Sequence, residues 1–208
     1  MRASQAPSPV SETVFGLSRM AAVKILVIPG SARESAADVR LAAALVKEIA
    51  LADHEATRIS LTDFPLPLHD DSESKTPPAA IDLKRMIGAH HAVLLVTMER
   101  LALPSPLLLN ALNWLAVTRE RSEEPLQVFR GKPLAVASVS ERADGIYAAL
   151  SLRQMLTAGF NANVIAPQLV VARGHEAFDR MDRLQDDNEL AAMQAMVRAL
   201  IDAAQRTM

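Results

Sequence analysis

The sequence predicts a parallel, doubly wound α/β domain. Three observations carry this. Short apolar runs alternate with helical patterns five times along the chain. The runs KILVIP, AVLLVT and LAVASV are apolar nearly throughout, as strands covered on both faces must be. The helical stretches between them carry one apolar stripe each, as helices packed on a sheet do. Right-handed crossovers then bring the strand ends and the helix starts to one edge of the sheet.

The elements follow in order. Lys24–Pro29 is β-branched and apolar and stops at Pro29-Gly30, so it reads as a buried strand. Ala36–Ala50 places Leu41, Leu45 and Ile49 at four-residue steps, with Lys47 and Glu48 off that face, and reads as a helix. Glu55–Leu61 alternates weakly and reads as the second strand. Asp63–Pro78 holds four prolines and the run HDDSES, and reads as loop. Ala79–Ile87 is a short helix and Ala92–Thr97 the third strand. Pro106–Val117 is a helix. Thr118–Lys132 is charged and reads as an exposed connection. Leu134–Val139 is the fourth strand. Gly145–Ala158 is a helix expected to turn Ile146, Leu150 and Leu156 inward. Val164–Val171, interrupted by Pro167, is the fifth strand. Asn188–Gln205 carries Leu190, Met193, Val197, Leu200, Ile201 and Ala204 on one helical stripe. Trp114 and the methionines read as core.

The 208 residues fit one domain, expected at 23–208 behind a disordered Ser- and Pro-rich tail at 1–22. Half of the residues are hydrophobic, enough for a sizeable core. The net charge of −2 comes without a basic block, so no nucleic-acid partner is expected. There is no cysteine, which removes disulfides, thiolate catalysis and zinc-thiolate sites. No apolar run approaches the ~20 residues of a membrane span, so no membrane partner is expected and the cytoplasm is the expected compartment. No metal site is expected. His69-Asp70-Asp71 are adjacent residues in a solvated loop and converge poorly on one ion. In RGHEAFD, His175, Glu176 and Asp179 lack the zinc-protease spacing. No Gly-x-Ser-x-Gly elbow is present to make Ser31 a nucleophile.

Doubly wound sheets bind ligands outside the carboxyl ends of their strands. Three loops lie there: Gly30–Asp38, Met98–Ser105 and Ser140–Gly145. In the first, Gly30 permits a sharp turn, and Ser31, Ser35 and free amides at the helix start suit a phosphate, with Arg33 as its cation. The same residues also read as an ordinary strand-to-helix turn with Ser35 as the cap. One glycine is not a dinucleotide fingerprint, and no Gly-Lys-Ser/Thr follows.

The segments KILVIPGSARESAADVRLA, DFPLPLHDD, VTMERLALPSPLLLNALNWL and GKPLAVASVS, in this order and spacing, resemble the NADPH-dependent FMN reductase family, which comprises flavodoxin-like quinone, chromate and azo reductases. The resemblance covers roughly Lys24 to Asp179. It implies a flavodoxin-like three-layer α/β/α fold with a five-stranded sheet of order 2-1-3-4-5. It implies FMN at the three loops, NAD(P)H as hydride donor, a quinone or other small molecule as electron acceptor, and a homodimer or homotetramer. The cofactor-binding residues it implies are Ser31, Arg33, Ser35 and Asp38 in the first loop, Glu99, Arg100, Leu101 and Ala102 in the second, and Ser140 in the third. No catalytic side chain is required, because the cofactor carries the chemistry.

The loops also depart from that family's pattern. The first resembles Gly-Ser-x-Arg-x-Gly-Ser-x-Asn, with Ser35 for the second glycine, Ala36 for the serine and Asp38 for the asparagine. An acid here suits a helix start, yet repels a phosphate a few ångströms away by roughly a few kcal/mol at an effective dielectric near 20. The second resembles Thr-Pro-Glu-Tyr-Asn-x-Ser-x-Pro, with Arg100, Leu101 and Leu103 replacing tyrosine, asparagine and serine. Leu101 to Leu103 read either as an apolar wall or as core or subunit interface. The third resembles Ser-x-x-x-Gly-Gly and keeps Ser140 and Gly145, while Glu141 and Asp144 add negative charge. A second function is therefore carried alongside the first: a flavodoxin-like binding or regulatory subunit without FMN.

Overall fold

The computed structural model describes residues 21–70, 75–120, 123–124, 126–141 and 145–208. Most of the expected tail lies outside the described residues, as do Asp71 and the Asp144 expected beside the third loop. The chain runs β1 (Lys24–Pro29), α1 (Ala37–Leu51), β2 (Glu55–Arg58), α2 (Pro78–Gly88), β3 (Ala92–Met98), α3 (Pro106–Val117), β4 (Pro133–Val139), α4 (Ile146–Gln154), β5 (Asn163–Val164), β6 (Leu169–Val171) and α5 (Asp187–Gln205). All strand pairs are parallel, in the order β2-β1-β3-β4-β5, with β6 also on β4. This is the expected flavodoxin-like sheet.

Its inner strands β1, β3 and β4 are apolar on both faces for a physical reason visible in the packing. Ile25 and Val27, Leu94 and Val96, and Ala135 and Ala137 face one core, roofed by α1 and α5. Leu26 and Ile28, Val93 and Leu95, and Leu134 and Val136 face the other, roofed by α2, α3 and α4. Period-two alternation sends successive side chains to opposite faces, and both faces are dry. Leu41, Leu45 and Ile49 are fully buried as expected, each contributing about 1.5–3 kcal/mol. The stripe of α5 is buried from Met193 to Ala204, with Leu190 packed at its margin. Trp114 is buried and donates its indole N–H to the carbonyl of Pro67 at 2.7 Å.

Four expectations are corrected. The second strand ends at Arg58, because Ser60 caps a short 3-10 turn at Leu61–Asp63. The fifth strand is two: the chain leaves the ladder at Ile165–Gln168, around Pro167, and returns at Leu169, so six strands stand in the sheet. The connection after α3 is not wholly exposed. It contains a 3-10 turn at Gln127–Phe129 that buries Val128 and Phe129, the latter edge-on to Phe160 at 5.2 Å. In α4 the buried residues are Ala148, Ala149 and Leu152, followed by Leu156 in a π turn, whereas Ile146 and Leu150 are 40% and 47% exposed. Small alanines let α4 lie close on the sheet and turn its larger apolar residues outward.

Candidate functional site

The carboxyl ends of β1, β3 and β4 meet at one edge, and their loops are tied together there by small polar residues. Gly30 extends the ladder by donating its N–H to Val96 O at 2.8 Å. The Ser105 hydroxyl donates to Gly30 O at 2.6 Å and caps α3 by accepting from Leu108 N at 3.4 Å. Ser105 N in turn donates to the buried Thr97 hydroxyl at 2.9 Å. A Cβ on residue 30 would stand 2.4 Å from Ser105 Oγ, so only glycine fits. Ser105 was not singled out from the sequence. A serine immediately before a Pro-initiated helix is an N-cap signature that identifies it.

In the first loop Ser31 is half-buried and Arg33, Glu34 and Ser35 are exposed. The loop closes with Ala36 N donating to Arg33 O at 2.9 Å. The N-cap of α1 is Ala36, not Ser35, and its side chain makes no cap bond. An uncapped helix start leaves amides and positive dipole facing the loop. Asp38 sits in the first turn of α1 and is fully buried. Its Oδ1 accepts from Val39 N at 3.1 Å, while its Oδ2 is the one buried side-chain polar atom among the described residues without a partner. Burial pushes the Asp38 carboxyl up; the neighbouring Ser31 hydroxyl and the backbone N–H groups of Asp38, Val39 and Met98 offset part of that rise.

The second loop is a two-residue turn. Arg100 and Leu103 exchange backbone hydrogen bonds of 3.0 and 2.9 Å, with Leu101 and Ala102 at φ of 52° and 61°. Positive φ at both central residues is the type I′ pattern, which favours Asn-Gly. Here Leu and Ala occupy it, at a cost of roughly 1–2 kcal/mol per residue. Leu101 is 96% exposed, and Arg100, Ala102 and Leu103 are exposed too, so these leucines are not core. Glu99 accepts from Ala148 N at 2.8 Å, so its carboxylate caps α4 and joins the second loop to the third.

In the third loop Ser140 is buried, and Ser140 O accepts from Gly174 N at 2.8 Å. Gly174 brings the loop after β6 against β4 and α1: a Cβ there would meet Val139 at 2.6 Å and Ala37 at 2.9 Å. The Ser138 hydroxyl donates to Gly145 O at 2.6 Å. The structure thus brings Ser31, Arg33, Ser35, Asp38, Glu99, Arg100, Leu101, Ala102 and Ser140 to one edge, but with different exposures and partners.

Other candidates resolve into structural roles. Asn110 and Trp114 hold the proline-rich loop: both donate to Pro67 O, and Asn110 Oδ1 accepts from His69 N at 2.8 Å. The His69 ring lies edge-on to Trp114 at 4.8 Å. Asp179 accepts from Met181 N and from Arg183, which holds its carboxyl down at about 2, and Arg40 of α1 bonds Asp182 at 2.6 Å across the Phe178 ring. The RGHEAFD segment is therefore a strap fastened to α1. Among the described residues no group of three or more His, Cys, Asp or Glu is placed to hold a metal. No described helix is long and apolar enough to cross a membrane.

The model of the NADPH-dependent FMN reductase family matches residues 23–177. An NAD(P)H-dependent FMN reductase of Pseudomonas aeruginosa is 30% identical over 182 residues, spanning 86% of this chain and 93% of the relative. Among solved structures, the flavoenzyme NAD(P)H:(acceptor) oxidoreductase FerB of Paracoccus denitrificans superposes with a TM-score of 0.72 at 23% identity, over 89% of this chain and 98% of that one. RosB, solved with bound 8-demethyl-8-formylriboflavin-5'-phosphate, superposes with a TM-score of 0.71 at 13% identity, over 89% and 80% of the two chains.

Proposed function

As the chain belongs to the NADPH-dependent FMN reductase family, we propose that it is a flavin-dependent oxidoreductase that uses FMN to pass a hydride from NAD(P)H to a quinone-type or other small acceptor. The observation that carries this reading is the uncapped start of α1 behind the Gly30–Ser35 loop. This loop carries amides, hydroxyls and one guanidinium, at the strand edge where this sheet type takes its ligands.

The residues present fit the group. Ser31, Arg33 and Ser35 would hold the phosphate, and α1 would contribute its dipole and the helix-start amides that the Asp38 carboxyl does not take. Arg100 to Leu103 would line the ring with backbone groups and apolar side chains, with Ser140 on the far side. When bound, FMN supplies the two-electron chemistry, which the side chains do not. The protein's part is to orient and to exclude water. The bonds from Ser105 to Gly30 and from Glu99 to α4 tie the first two loops to α3 and α4 before any ligand arrives. Binding then needs less ordering of the chain.

A second reading, a binding or regulatory subunit without FMN, is favoured by one observation: Asp38 adds an unpartnered buried acid under the phosphate loop. The visible spectrum of the purified protein, followed by FMN fluorescence titration, separates the two. A band near ~450 nm or tight quenching supports the reductase, since the cofactor carries the chemistry. A colourless protein that ignores FMN up to high micromolar rejects it.

The expected homodimer or homotetramer has a candidate face in α4. Ile146, Tyr147 and Leu150 are 40%, 55% and 47% exposed. Leu101 and Leu103 lie on the loop that Glu99 fastens to that helix.

A further inference from the structure

Asp38 is the one feature of the site that the proposed chemistry leaves unexplained. It is fully buried, and its Oδ2 has no partner. Among the described residues no cation neutralises it. On α1, Arg40 is bonded to Asp182. From β2, Arg58 pairs with Glu34 of the first loop. At the end of β3, Glu99 is bonded to Ala148 N. Glu189 of α5 is bonded to Ala172 N. Arg33 of the first loop and Glu141 of the third are exposed on their loops. Arg173 and His175 lie after β6 and supply no bond to the carboxyl. The groups that act on the Asp38 carboxyl are the Ser31 hydroxyl and backbone N–H groups. A buried ionised carboxylate without a cation is poorly supported, and an anion brought to the same loop makes it worse.

We infer that Asp38 takes up a proton when a phosphate is held in the first loop, so that ligand binding and proton uptake are one event. The inference rests on the flavin reading. The protonated acid is neutral and has the shape of the asparagine amide. It presents an O–H that the orphaned oxygen lacks when ionised, and it removes the repulsion between carboxylate and phosphate. Burial has already raised the carboxyl, so the ligand's charge has less left to do.

The test is calorimetric titration of FMN at neutral pH, in phosphate-free buffers of differing ionisation enthalpy, on the wild type and Asp38→Asn. The dependence of heat on buffer counts protons without reference to turnover. Net uptake by the wild type, abolished in Asp38→Asn, is expected. The wild-type dissociation constant should also rise relative to the variant's with pH, by up to about tenfold per pH unit above the acid's pKa. The phosphate's own titration, near ~6, affects both proteins equally and cancels in the ratio. Riboflavin, which lacks the phosphate, should bind without uptake. FMN binding with no uptake, or with the same uptake in Asp38→Asn, overturns the inference alone. No FMN binding by either protein at any pH overturns the flavin reading and this inference with it. Should Asp38→Asn fail to fold, Asp38→Ser or Asp38→Ala, which also lack the carboxyl, take its place in the same comparison.

Discussion

The Ser105 hydroxyl lies 2.6 Å from the carbonyl oxygen of Gly30, and it fills the space that any side chain on residue 30 would need. One contact thus binds the end of β1 to the start of α3. Gly30→Ala should break it, because the new Cβ would stand 2.4 Å from Ser105 Oγ. A loss of about 2 kcal/mol is expected in denaturant melts, from overpacking and a lost buried hydrogen bond. Gly30→Ala combined with Ser105→Gly should recover part of that loss, with a coupling above about 0.5 kcal/mol. Strict additivity of the two changes would show that the contact does not link the elements.

The turn at Leu101–Ala102 holds two non-glycine residues at positive φ. Ala102→Gly removes the Cβ penalty at one of them and adds some unfolded-state entropy. The net gain should be about 0.5–1 kcal/mol, a rise in Tm of about 1–4 °C for a domain of this size. A lowered Tm would mean that the turn is unstrained as built. Because the turn borders the proposed ring site, FMN affinity measured on the same variant reports whether the strain serves binding.

Asp38 also makes stability depend on pH. Its folded pKa lies above the unfolded value, so between the two the native state binds more protons than the unfolded chain. Stability is therefore lost as pH rises from about 4 through the folded pKa, and stays lost above it. Asp38→Asn removes that loss. The Tm difference, variant minus wild type, should grow as pH rises above about 4, until the folded pKa is passed. A difference that is flat across this range would refute the shift.

Leu150 stands exposed on α4, beside Ile146 and Tyr147. A cluster of large apolar residues on one helix face marks an interaction surface. Leu150→Glu should move the protein toward monomer in light scattering, while changing the stability of the folded chain by no more than about 0.5 kcal/mol, as surface changes do. An unaltered mass would remove α4 from the interface.

The sequence by itself determined the fold class, the order of the elements and the edge of the sheet that carries the candidate site. Apolar periodicity is a local property, and both cores read out the same alternation that the strands display in the chain. It also marked the first loop, because a glycine after a strand and a phosphate-type loop before a helix are neighbours in sequence. Tertiary structure decided what no local pattern contains. Whether Leu150 faces in or out depends on how closely Ala148 and Ala149 let α4 approach the sheet. That Asp38 lies fully buried is set by the fold and not by the residues around it in the chain. Whether Glu99 faces a ligand or caps a helix depends on an amide 49 residues away. Burial and partnership are set by residues distant in sequence, and they decide the charge and the reach of each side chain in the site.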